Sequence, residues 1–407
     1  MLEIRMHKIA KIFVYFFFIY VLWFIYVFGE HVIILYGTAL AATVFVGYGM
    51  IRTGTNIRSF CPWGVFLNFI MCVYSILTGI FVAKDQEVLF SAVKTYGALS
   101  IVCFDICYIS NKEKSIDWLA DFFILINIVC SLQILVRGFY VLGYGYVLSA
   151  DQNPNILGLT MDLGVFSVAY KSVKTKKRKL LYFCIAVLFL YTIINCGSRK
   201  CLIAALIICA LWLSTFAFQM WKKGVYARIG LFFILGALAF GVLYYYQNVY
   251  VHTYSYNRME ILGSTEKGTS SQIRAMYYQY ALDYFYEHPL FGIGLAQFAI
   301  WNPKHGYSHS TYAEVLANWG FVGCLLYFIP AIVVGVKLIR ALVKGSDPEM
   351  TRIFIALWAM EMFIGVGQIW FYQIEHLTAW TIIFLYYDMH FAEKQVIAGR
   401  SCKYVKA

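Results

Sequence analysis

Residues 274–298, RAMYYQYALDYFYEHPLFGIGLAQF, and residues 309–328, HSTYAEVLANWGFVGCLLYF, frame the longest part of the chain that is neither strongly apolar nor a short basic loop. The second stretch passes from His309 and Ser310 into an apolar run reaching residue 338, long enough to cross roughly 30 Å of hydrocarbon. Gly320 and Gly323 lie within that run, small residues of the kind that let another helix pack closely. A titratable side chain at the mouth of a membrane helix is what chemistry at a water–membrane boundary requires. The rest of the chain reads as the scaffold that holds this segment.

Composition sets the environment. Of 407 residues, 61% are hydrophobic, 19% aromatic and 13% charged, with a mean hydropathy of +0.69. Soluble chains carry about 25% charged residues, so the sequence describes a polytopic membrane protein. Arg5, His7, Lys8 and Lys11 precede the first apolar run; with no small-residue cleavage site after it, that run reads as a membrane helix rather than a signal peptide. The formal charge of +12 does not indicate nucleic acid, because the basic residues gather in short loops between apolar runs, as membrane topology demands. The 11 cysteines fall mostly inside apolar runs, without a disulfide framework or zinc spacing, and read as small buried hydrophobes.

Apolar runs of spanning length occur near 12–29, 31–50, 63–83, 89–109, 118–137, 156–171, 180–196, 201–221, 226–246, 311–338, 352–371 and 376–391, about twelve spans. Lys and Arg concentrate at 51–62, 110–117, 171–179, 222–228, 337–352 and both termini, the densest cluster being KTKKRK at 174–179. The positive-inside rule makes these cytoplasmic. An even span count then puts both termini inside and the 247–310 segment on the extracytoplasmic face. The fold expected is all-α, one integral membrane domain over 1–407, with 247–310 a partly helical loop carrying part of the active site. Lys94, Asp105 and Asp162 sit inside apolar runs, where ionisable groups are costly and face cavities or one another. No internal repeat supports a transporter built on inverted halves.

Within the polar segment, SQIRAMYYQYALDYFYEHP spaces Tyr277, Tyr280, Tyr284 and Phe285 at helical intervals and stops at Pro289, predicting an amphipathic helix at the membrane interface. Arg199, in NCGSRK, is either a snorkelling interfacial arginine or an anion clamp, since a guanidinium offers a rigid fork to phosphate oxygens. Arg274 opens the amphipathic helix and reads as a solvated charge unless it converges with Arg199. His309 has a side chain suited to general base catalysis on a hydroxyl; the bland alternative is a hydrogen-bonded surface histidine. Ser310 beside it and Glu314, five residues on, are candidate supports. Asn155, in Asn153-Pro154-Asn155, belongs first to a helix-entry turn, and Glu375-His376 forms a second polar external patch offering a substrate contact.

The run His309-Ser310, nine residues, Gly320, two residues, Gly323 resembles the signature of the O-antigen ligase and polysaccharide polymerase family. EHPLFGIGLAQF, with Arg274 ahead of it, GSRK around Arg199, and NPNILGL resemble further landmarks of that family, in its order, over roughly 150–330. The resemblance implies a metal-independent, inverting, GT-C-like membrane glycosyltransferase that needs no cofactor and uses polyprenyl-diphosphate-linked oligosaccharide as donor and acceptor. Arg199 and Arg274 would bind the diphosphate; His309 would activate the acceptor hydroxyl or assist the departing phosphate. It further implies the bacterial plasma membrane, with a flippase and a chain-length regulator of the same pathway as partners. The small external segment favours a polymerase, whose acceptor resembles its donor. The alternatives are a ligase delivering finished glycan to another acceptor and, from a different class, a lipid-linked glycan flippase or transporter, which predicts charge pairs near the bilayer midplane.

Overall fold

Apolar runs with few charges become helices in a bilayer because a helix satisfies its own backbone donors and acceptors. The computed structural model describes residues 3–29, 31–137, 140–142, 145–148, 153–175, 178–230, 232, 244, 247–248, 269–369 and 371–392. Among them, nine helices are long and apolar enough to cross a membrane. These begin with α1 (Glu3–Ile19, running on through a π turn at Tyr20–Phe24 to Ile25–Phe28), α2 (Val32–Thr53), α3 (Trp63–Val82) and α4 (Gln86–Glu113). They continue with α5 (Asp117–Arg137), α6 (Pro154–Thr175), α7 (Lys179–Cys196) and α8 (Arg199–Lys222). Between α5 and α6, β1 (Tyr140–Leu142) pairs antiparallel with β2 (Gly145–Val147). Then come the surface helix α9 (Thr269–Glu287), the single turn α10 (Phe298–Trp301) and the ninth spanning helix, α11 (Thr311–Val343). The chain closes with α12 (Pro348–Ile364) and α13 (Ile374–Tyr387). The all-α polytopic membrane architecture read from the sequence is the architecture observed.

The last two expected spans differ in a way that matters. The apolar run 352–371 predicts one helix to its end, yet α12 stops at Ile364. Residues 365–368 leave the helix and spend their carbonyls on other elements, described below. The expected span at 226–246 and the 249–268 part of the external segment fall largely outside the described residues.

α6 is the hub: 89% of its apolar window is buried, enclosed by α5, α7, α8 and α12. At one end of the bundle, Lys171 pairs with Asp121 at 2.8 Å, Lys174 with Asp117 at 2.7 Å, and Lys11 with Glu113. Lys114, Lys174, Asp347 and His390 line one pocket there. The basic segments at 110–117, 171–175 and 337–352 thus share one end, and His309, at the start of α11, lies at the other.

α11 is two helices joined at Gly320, whose φ of 63° and ψ of −165° are not helical. The break frees backbone groups on either side of it, and the PLFGIG segment takes four of them. Ile293 and Gly294 N–H donate to the Ala317 and Asn318 carbonyls at 2.9 Å, while Phe321 and Val322 N–H donate to the Pro289 and Leu290 carbonyls at 2.8 and 3.1 Å. Tyr74 OH donates to the Trp319 carbonyl at 2.7 Å. Gly320 therefore does not serve a passing helix, whereas Gly323 does face one, α3, through Tyr74. Gly320 admits residues 290–292, and Gly323 lies against the chain's own Trp319 and Tyr74.

α9 matches the predicted amphipathic helix and ends two residues before Pro289. Instead of resting free at the interface it packs on α11, Tyr277 and Ala281 meeting Phe298, Ala313 and Ala317. Farther along, the fully buried Gln297 amide grips the α3–α4 turn from both sides, accepting from Asp85 N–H at 3.0 Å and donating to the Asp85 carbonyl at 2.8 Å. Gln297→Ala is expected to cost about 1–3 kcal/mol, because it leaves the Asp85 N–H without a partner and the Asp85 carbonyl with only its helical bond from Leu89 N–H. Thermal unfolding of the detergent-solubilised protein measures it; an unshifted midpoint would mean that water replaces the amide.

Candidate active site

The motif NCGSRK folds as a hinge between two helices. Gly197 closes α7 and Ser198 caps α8, accepting from Cys201 N–H at 3.5 Å. Ser198 Oγ donates to Asn155 Oδ1 at 2.7 Å, and Asn155 donates in turn to Asn153. Asn155 is thus tied to the cap of α8, in keeping with the helix-entry role its sequence context suggests. Arg199 and Lys200 occupy the first turn of α8, where the positive end of the helix dipole disfavours cations by about 0.3–1 kcal/mol. An anion brought to this end would relieve that cost.

Adjacent residues on a helix point about 100° apart, and here they diverge in role. The half-buried Lys200 ammonium donates to the Gly367 carbonyl and, at 2.7 Å, to Gln368 Oε1. The Gln368 carbonyl accepts from Thr311 N–H at 2.9 Å and from Thr311 Oγ1 at 2.7 Å, and the Gly365 carbonyl accepts from Thr311 N–H at 2.8 Å. The N-terminal ends of α8 and α11 therefore meet on the 365–368 loop. Lys200, which the sequence reading passed over in favour of Arg199, thus brings α8 into contact with the loop that seats the His309 turn.

His309 has a left-handed backbone, φ 60°, uncommon for a residue with a Cβ. A small closed network holds it. Ser308 N–H donates to Glu314 Oε2 at 3.0 Å, Ser308 Oγ donates to the Ser310 carbonyl at 2.9 Å, and Ser310 caps α11 through Ala313 N–H. Glu314 therefore supports His309 by fixing the preceding amide, not by orienting the imidazole. The ring packs against Tyr277, stacked at 6.2 Å and 13°, and against Tyr307, tilted at 4.2 Å and 51°. Burial, then the nearby charges of Arg274 and Lys200, lower the His309 pKa to about 4, so at neutral pH it is an uncharged base. Burial raises Tyr307, with Arg274 pulling the other way.

Arg274 thus lies close to both His309 and Tyr307, and its buried Nε has no hydrogen-bond partner among the described residues. Orphaned charged donors are costly, and this one sits beside the base. His309, Ser310, Glu314 and Arg274 come together. Glu375 does not: it is 4% exposed in the first turn of α13, near Glu361, so the expected second polar external patch is corrected to a buried one. Its neighbour His376 is buried too, Nδ1 facing Glu361 Oε2 at 2.5 Å and Nε2 facing Tyr327 OH at 2.6 Å. Trp380 Nε1 donates to His376 Nε2, which puts the imidazole proton on Nδ1. Sequence reading missed this pair because fifteen residues and a loop separate its members. Among the described residues, no cluster of His, Cys, Asp and Glu has the makings of a metal site.

Residues 184–328 match a family model described as O-antigen ligase. The matched stretch contains Arg199, Lys200, Arg274, His309, Ser310 and Glu314 and supports an O-antigen ligase/polymerase-like family. No curated protein matches the chain.

Proposed function

From the O-antigen ligase-like character of residues 184–328, we propose that the protein is a membrane glycosyltransferase polymerising a cell-surface polysaccharide. It moves the growing glycan from polyprenyl diphosphate to the next lipid-linked repeat unit on the extracytoplasmic face of the bacterial plasma membrane, both termini lying in the cytoplasm. The observation that carries the reading is a neutral imidazole flanked by the cations Arg274 and Lys200, at the entrance of a membrane helix. Sugar C1 bonded to a diphosphate is already activated. What remains is to withdraw a proton from the acceptor hydroxyl, stabilise negative charge on the leaving diphosphate and hold both reactants in line. His309 takes the proton, Arg274 and Arg199 meet the diphosphate, and the exposed Tyr307 offers a face to a sugar ring. Attack from the side opposite the diphosphate inverts C1, and the cationic side chains do the work a metal would otherwise do.

The test uses purified protein in nanodiscs with one lipid-diphosphate-linked repeat unit as sole substrate. A ladder of products supports a polymerase. Transfer only after a second acceptor is added moves the assignment to a ligase. The buried Glu361–His376 pair is the feature a transporter would use, and translocation of the lipid-linked unit without glycan transfer would favour that reading. Arg199→Lys keeps the charge but loses the guanidinium fork; transfer is expected to fall by about tenfold or more, one good charge-assisted contact being worth about 1.5–3 kcal/mol. Wild-type turnover would make Arg199 an interfacial anchor.

A further inference from the structure

The role of Lys200 deepens this reading and rests on it. Its ammonium donates to the Gly367 carbonyl and to Gln368 Oε1. Gln368 then receives both the N–H and the hydroxyl of Thr311, and the Ser310 hydroxyl leans on the Gly365 carbonyl at 3.4 Å. An unbroken chain of hydrogen bonds thus runs from the first turn of α8, across the 365–368 loop, to the two residues after His309. The loop leaves no slack: a Cβ on Gly367 would lie 2.6 Å from Lys200 Cδ. Tyr278 OH, from α9, meets the neighbouring Val366 carbonyl at 3.3 Å, so the element carrying Arg274 touches the same loop.

We propose that Lys200 is a positioning residue for the transfer: it clamps the 365–368 loop as the ledge on which the left-handed His309 turn is seated. The loop lies outside the matched stretch 184–328 and forms a third wall of the site. Lys200 also contributes to the field at His309. Among the described residues, the charged and titratable groups shown facing that region are Lys200 from α8, Arg274 and Tyr277 from α9, Glu314 from α11, Tyr307 and, after the loop, Tyr372. Two of these are cations, so removing one lets the imidazole hold its proton to higher pH.

The experiment measures kcat, KM and the acid limb of the pH–rate profile in nanodiscs. The substrate is polyprenyl-diphosphate-linked oligosaccharide extracted from host cells deleted for this protein. Lys200→Met is expected to lower kcat by about tenfold or more, a displaced catalytic group being worth up to roughly 10²-fold, with KM changed far less and the acid limb moved to higher pH. Lys200→Arg is expected to keep the acid limb and recover part of kcat. Gly367→Ala, which pushes on the lysine arm without altering charge, is expected to lower kcat and leave the acid limb in place. Wild-type kcat and acid limb in Lys200→Met overturn the proposal; if that variant does not fold, wild-type kcat in Gly367→Ala does so. His309→Ala is the control: activity there overturns the functional reading and this one with it, whereas an inactive control beside an unaltered Lys200→Met enzyme overturns this one alone.

Discussion

His309→Ala is expected to abolish glycan transfer while the protein still folds and inserts, the loss falling in the range of about 10²–10⁴-fold that a general base contributes. The fold survives because nothing in the network around the turn uses the imidazole. Ser308 bonds Glu314, Ser308 and Ser310 bond each other, and Ser310 caps α11, all through atoms that alanine at 309 retains. The pH dependence supplies an independent check. The ordinary histidine pKa is about 6.5, and burial with Arg274 and Lys200 brings His309 to about 4. A base works when unprotonated, so turnover is expected to hold as pH falls through 6 and to decline only as the imidazole takes its proton near 4. A pH–rate profile with its acid limb near 6.5 would mean that His309 does not sit in the cationic, half-buried setting described. Substantial turnover in His309→Ala would remove it as the base.

Much of this arrangement is legible in the sequence, because the bilayer makes patterns strict. Leu-, Ile- and Phe-rich runs must be helices, and a histidine and serine before a long apolar run mark the start of one. Arg274 is found because it lies in the early turns of a helix with a recognisable proline stop. What stays hidden is whatever looks apolar but does polar work through its backbone. Residues 365–369 read GVGQI inside an otherwise apolar run, and nothing in their side chains says that their carbonyls will seat Thr311 and Lys200. Lys200 is obscured for a different reason: beside an arginine, whose fork suits phosphate, a lysine reads as a lesser copy, and only the turn of α8 separates their directions. Gly320 illustrates the same limit. Its spacing from Gly323 suggests helix packing, whereas its backbone angles and the four hydrogen bonds to residues 289–294 show a broken helix mended by another segment.

That repair makes Gly320→Ala the substitution with the largest expected structural effect. The backbone at 320, φ 63° and ψ −165°, lies in a region essentially restricted to glycine, where any other residue costs about 1–3 kcal/mol. The new methyl has nowhere to go. It would stand 2.6 Å from the Gly292 nitrogen and from the Leu290 carbonyl carbon and oxygen, all main-chain atoms that cannot swing aside like a side chain, adding about 1–3 kcal/mol of overpacking. Two ways of relieving the clash exist, and each is damaging. If residues 290–292 withdraw, the carbonyls of Ala317 and Asn318 and the amides of Phe321 and Val322 lose their partners within a membrane protein, where unsatisfied backbone costs several kcal/mol per group. If 320 becomes helical, the segment Thr311–Trp319 swings onto the axis of the helix below it and carries His309 away from Arg274 and Lys200. Transfer is therefore expected to be lost together with a markedly lowered unfolding temperature, and Gly292→Ala, whose Cβ would lie 2.5 Å from the Asn318 carbonyl, is expected to reproduce both effects from the opposite side of the contact. Thermal unfolding and transfer measured on the same nanodisc samples read the two together. A Gly320→Ala protein with wild-type stability and turnover would mean that α11 runs straight and that the seating of residues 289–294 in its break is not what presents His309.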